Sequence, residues 1–203
     1  MIYFLANGAV LGLAAGLSPG PLMALIITES LRGGWPAGFR VGLAPLVTDT
    51  VLVTVALLVA APLPGWGRAV ISVVGGGIII WMGLGTLRAG APVAAEMAGG
   101  AGGSLAKGIM TNLLNPQAFL FWLTGGGPIL VDAYGAKGWA GPFSFMAPFF
   151  VVMIAINLIL AFTISRGRQF LQGGLYRWAL RGAGAMLMLL GVWRAWTGLA
   201  ALL

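Results

Sequence analysis

Apolar residues run along this chain in stretches long enough to cross a bilayer, separated by short basic or polar loops. A crossing helix needs about 20 apolar residues. Six such stretches lie near residues 3–27, 39–61, 68–89, 107–130, 142–164 and 179–201. Between the third and fourth, the chain from Ala89 to Ser104 is rich in Gly and Ala and carries only Glu96 as a charge, the pattern of a flexible linker. The predicted fold is therefore an all-α membrane protein with six transmembrane helices. Its first three-helix repeat covers residues 1–90, a cytoplasmic linker 91–106, and a second three-helix repeat 107–203. With three spans per half, the second half enters the membrane from the opposite side, so related halves form inverted repeats.

Two of the six stretches are interrupted by proline near their middles. Ser18-Pro19-Gly20-Pro21 sits in the first and Asn115-Pro116 in the fourth. A helix broken at membrane depth leaves N–H and C=O groups that hydrocarbon cannot satisfy, so such breaks survive where they line a cavity. Gly20-Pro21 and Asn115-Pro116 also match a helix start, with a capping residue followed by proline at the first position. Restarted helices expose N–H groups and a partial positive charge of up to about half an elementary charge. Two such starts converging near the midplane would suit a carboxylate, and a matched pair of breaks points to a transporter. The competing reading is a pair of ordinary kinks, satisfied locally by Ser18, Thr111 and Asn112.

Glycine spacing adds to the picture. Gly76 and Gly83 in span three have the seven-residue spacing of Gly184 and Gly191 in span six. Gly8, Gly12, Gly16 and Gly20 recur every four residues, as do Gly34, Gly38 and Gly42, making grooves where another backbone can approach. These faces suit packing within one chain or between copies, so a homo-oligomer stays open.

Composition narrows the class. Of 203 residues, 60% are hydrophobic and 7% charged, too few charges to cover a soluble surface. The N-terminus has no basic n-region or small-residue cleavage site, so the first stretch is expected to be a permanent span. The net charge of +7 reflects loop residues that orient the chain, not a nucleic-acid surface. Arg32, Arg40, Arg88, Lys107, Arg166, Arg168, Arg177 and Arg181 follow odd-numbered spans, whereas Arg68, Lys137 and Arg194 lie opposite. Eight against three puts the odd-numbered loops in the cytoplasm and both termini outside. Trp35, Trp66, Trp139 and Trp178 fall near span boundaries, where interfacial aromatics belong. With no Cys and no His, thiol redox chemistry is excluded and the usual soft and borderline metal ligands are missing, so no cofactor or metal is expected. Membrane enzyme chemistry is disfavoured on the same ground.

Asp49, between Thr48 and Thr50, is the one acidic residue deep in a span. A carboxylate there costs roughly 2.5–3.5 kcal/mol on insertion scales. Three roles are open: binding a substrate ammonium, carrying a coupling proton, or hydrogen-bonding a broken helix. Asn157 in span five is its positional counterpart under the repeat, as interhelical glue or a ligand. Arg194 is expected to snorkel to the outer surface. Glu29 and Arg32 read as an interfacial ion pair at the cytoplasmic end of span one, with a gate as the alternative. The methionines and remaining tryptophans read as packing or lipid contacts.

These residues resemble a known family. Gly16-Leu17-Ser18-Pro19-Gly20-Pro21, Gly38 with Gly42, Asp49, and Thr111-Asn112-Leu113-Leu114-Asn115-Pro116-Gln117 are similar to motifs of LysE/RhtB-type amino-acid exporters. The resemblance implies a prokaryotic cytoplasmic (inner) membrane protein that exports amino acids or related small zwitterions, driven by the proton gradient. Its small-molecule site would be built from Ser18, Pro19, Gly20, Pro21, Asp49, Asn112, Asn115, Pro116, Gln117 and Asn157, with Asp49 also in proton coupling. Two departures, Leu22 after Pro-Gly-Pro and Gln117 after the second Asn-Pro, remove polar character found in many members. A metal cation or lipid-like molecule is the alternative cargo.

Overall fold

A computed structural model describes residues 1–60, 62–88, 103–166 and 174–202. Arg168, Glu96 and the predicted linker as far as residue 102 lie outside the described residues. Among the described residues the chain is helical, without strands: α1 Ile2–Leu17, α2 Pro21–Gly42, α3 Ala44–Ala60, α4 Gly65–Arg88 and α5 Ser104–Leu113. Then follow α6 Pro116–Phe121, a π-helical turn Trp122–Gly126, α7 Gly127–Lys137, α8 Ala140–Ser165 and α9 Gly174–Ala200.

Both proline motifs interrupt their helices. Ser18 precedes Pro19 and is extended at φ −65° and ψ 119°, because a following proline disfavours the α region. α2 then restarts with Pro21 after Gly20. Asn115, also before a proline, is extended at φ −81° and ψ 107°, and α6 restarts at Pro116.

Several element edges shift from expectation. α5 begins at Ser104, so the last residues of the predicted linker are its first turn. The first stretch continues well past residue 27, to Gly34, whose φ of 73° turns the chain back on itself. The fourth continues past residue 130 to Lys137, and Gly138 at φ 56° makes the corresponding turn into α8. Among the described residues, four runs have the length and apolarity to cross a membrane: Pro21–Val59, Gly65–Arg88, Ala140–Ser165 and Arg181–Ala200. The expected first and fourth spans do not qualify as single helices because their breaks cut them into shorter pieces.

Glycine grooves carry the packing. A Cβ on Gly8 or Gly12 would collide with the carbonyl oxygens of Phe145 and Phe149, and one on Gly16 would lie 2.9 Å from Ile156. α1 and α8 therefore lie side by side and run in the same direction. The Gly76/Gly83 and Gly184/Gly191 pairs face each other. Added Cβ atoms on Gly76 and Gly191 would come within 2.5 and 2.7 Å of each other's carbonyl oxygen, and those on Gly83 and Gly184 within 2.8 and 2.9 Å. That pairing is antiparallel, and small residues are what let two backbones approach this closely. The largest buried side chains include Trp122, Phe145 and Phe149 at the centre, while Leu58, Val151 and Leu189 point outward and are exposed. Apolar residues on both the inside and the outside suit a surface solvated by lipid.

Candidate functional site

The two breaks open onto one central cavity of about 90 Å³. Ser18, Gly20, Asp49, Asn112, Asn115, Gln117 and Asn157 line it. Pro19 and Pro21 instead line an adjoining cavity of about 480 Å³, which shares Ser18, Met82, Asn115 and Gln117 with the first and reaches Arg88. Pro116 starts α6 and thereby places Gln117.

Asp49 is 4% exposed and well partnered. Asn112 Nδ2 donates to its Oδ1 at 3.0 Å and to Thr48 Oγ1 at 2.6 Å. The Trp122 indole N–H is directed at the same carboxylate. The chain thus places a carboxylate from α3 against an amide from α5 and an indole from the π-helical turn.

Trp122 escaped the sequence reading, which treated the remaining tryptophans as packing. It is buried, and it opens a π-helical turn, a feature that recurs at functional sites. The signal was present in Thr124-Gly125-Gly126-Gly127-Pro128, a helix-weakening run inside an apolar stretch. Gly126 is required there because a Cβ would collide with the Trp122 ring.

The breaks also touch each other. Gln117 Nε2 donates to Ser18 Oγ at 3.0 Å, across 99 positions of sequence. A Cβ on Gly20 would lie 3.2 Å from Gln117 Oε1, so glycine leaves room for this amide. Asn115 Oδ1 accepts from the Gln117 backbone N–H at 3.0 Å, capping α6. That N–H, one of those at the start of α6, is therefore already satisfied. Asn157 faces the cavity, and its Nδ2 donates to the Gly42 carbonyl at 3.0 Å, where α2 bends into α3. That bond ties α8 to the end of α2.

Two ion pairs differ from expectation. Glu29 does not pair with Arg32: its carboxylate receives Lys107 Nζ at 3.0 Å and Ser104 Oγ at 2.6 Å, joining α2 to α5. Lys107 lies on another helix, so no local spacing indicated it. Arg194 does not reach freely outward; its side chain is 12% exposed and donates to Asp132 at 3.3 Å and Ser72 at 3.2 Å. No group of three or more metal-ligating side chains occurs among the described residues.

The model of one protein family, described as LysE type translocator, matches residues 13–197. No curated protein and no solved structure gives a match.

Proposed function

The chain belongs to the LysE type translocator family, and from that premise we propose that it exports amino acids or related small zwitterions by proton-coupled alternating access. The family is one of membrane translocators, in keeping with the apolar helices of this multi-pass chain. One observation carries the reading: both helix breaks open onto the cavity that holds the buried Asp49. In this mechanism the substrate ammonium or the coupling proton goes to Asp49. The carboxylate meets the start of α2, where no side chain caps the helix.

Two inverted three-helix repeats, divided near the Gly/Ala-rich stretch, frame the site in this reading. The antiparallel pairing of Gly76 and Gly83 with Gly191 and Gly184 supports it, as do the turns at Gly34 and Gly138, each following a broken helix. With odd-numbered loops in the cytoplasm, the Glu29–Lys107–Ser104 cluster joins the cytoplasmic half-helices of the two repeats and opens when substrate enters from that side. The membrane is then the cytoplasmic membrane of a prokaryote, with both termini outside.

A second reading has its own support. The adjoining cavity runs beside Trp81, Leu84 and Gly85, and Trp81 is exposed on the outer face of α4, so a lipid-like solute entering sideways is the alternative.

Exchange of labelled L-leucine across proteoliposomes, with and without an imposed proton gradient, tests both. Export requires saturable exchange that the gradient drives uphill. Asp49→Ala should lower the exchange about 100-fold, as when one partner of a buried charged cluster is removed. Undiminished exchange in that variant removes Asp49 from the mechanism, and transfer of a labelled lipid without any amino-acid exchange favours the second reading.

A further inference from the structure

We infer that the cargo is a zwitterion with one ammonium group and an uncharged, apolar, flexible side chain, of the leucine, methionine or norleucine type. The inference rests on the central cavity being the transport site, as proposed above, and adds the chemistry that the cavity selects.

Charge is the first discriminant. Asp49 is the only ionisable side chain lining the cavity among the described residues. Of the nearby cations, Lys107 is committed to Glu29 and Arg194 to Asp132, while Arg88 lines the adjoining cavity and not this one. A substrate with a second ammonium or a guanidinium would carry that charge into the cavity without a counter-ion. A side-chain carboxylate would face Asp49 or apolar wall. At membrane depth an unpaired charge is costly enough for about 100-fold discrimination.

Hydrogen bonding is the second. Around the cavity the Asn112 amide is given to Asp49 and Thr48, the Gln117 amide to Ser18, and the Asn157 amide to Gly42. These bonds use the amide N–H groups and leave the Asn112, Gln117 and Asn157 amide oxygens open, so selection against a polar substrate side chain falls to the apolar wall.

The wall is the third. Met23 from α2, Met82 from α4 and Met153 from α8 converge on the cavity, each buried, beside Leu11, Ile26 and Leu187. Methionine side chains are unbranched and polarizable, so such a wall repacks around apolar groups of differing shape.

The test is competition against labelled L-leucine exchange in proteoliposomes of the unmodified protein. Competitors are L-methionine, L-norleucine, L-serine, L-lysine, L-glutamate, leucinamide and 4-methylpentanoate. We expect methionine and norleucine to compete within a few-fold of leucine. Serine should compete at least about tenfold less well, and lysine and glutamate about 100-fold less well. Leucinamide and 4-methylpentanoate each lack one end of the zwitterion and should both compete more weakly than leucine. Lysine or glutamate matching leucine would overturn this inference while leaving the exporter reading intact, as would leucinamide competing as well as leucine. No saturable exchange of any amino acid would overturn both.

Discussion

The two helix breaks use the same start signal and close their loose backbone in different ways. At the second, the interruption is short, and Asn115 caps its own helix by accepting from the Gln117 N–H at 3.0 Å. At the first, Ser18, Pro19 and Gly20 separate the helices, Gly20 is fully extended, and no side chain caps α2. Its polar partner arrives from the other break, as Gln117 donates to Ser18. The second break is locally complete, whereas the first is finished by tertiary contact. Matched sequence signals therefore do not make equivalent sites: the start of α2 is better suited to a ligand than that of α6.

This asymmetry can be broken experimentally, beginning with the group both breaks approach. Trp122→Phe keeps the aromatic bulk and removes the N–H directed at Asp49. Leaving a buried acceptor short of a donor costs about 1–3 kcal/mol, so leucine exchange should fall about 10- to 100-fold with the protein still monodisperse. Exchange within twofold of the parent would show that Asp49 is oriented without the indole. Gln117→Ala comes next. It removes the bridge to the first break and should lower exchange about tenfold, a loss equivalent to about 1.4 kcal/mol, with little change in thermal stability.

Asn115→Ala should show the reverse pattern. Loss of a helix cap costs about 1 kcal/mol, which should appear as a lower melting temperature with exchange reduced less than in Gln117→Ala. If Asn115→Ala impaired exchange more and stability less, the contrast between the breaks would be wrong. The smallest effect belongs to the bridge itself. A double-mutant cycle of Ser18→Ala and Gln117→Ala should give a coupling of about 0.6 kcal/mol, typical of hydrogen bonds between membrane helices. A coupling indistinguishable from zero would mean that the first break is closed by something other than Gln117.

Much of the architecture was legible because it rests on rules that act within a few residues. Proline lacks an N–H and constrains the residue before it, so Pro19, Pro21 and Pro116 marked the breaks wherever the rest of the chain went. Long apolar stretches marked the membrane helices. The seven-residue spacing of Gly76/Gly83 and Gly184/Gly191 was visible too, although only the folded chain shows that the pairs meet. The site was legible as an inventory: Ser18, Gly20, Asp49, Asn112, Asn115, Gln117 and Asn157 do surround one cavity.

The partners were not legible. Glu29 looked toward Arg32, three positions away, yet its carboxylate meets Lys107, 78 positions away. Asn157 lines the cavity as the inventory suggested, but its bond to the Gly42 carbonyl, 115 positions away, could not be read from sequence. Trp122 read as packing until the π-helical turn brought its indole to Asp49. Residue types and local backbone rules, read from sequence alone, determined where helices form, where they break and which polar groups are buried. Which of those groups satisfy one another was decided by tertiary structure. A hydrogen bond needs two atoms within about 3 Å, and between distant helices that distance depends on how whole surfaces pack.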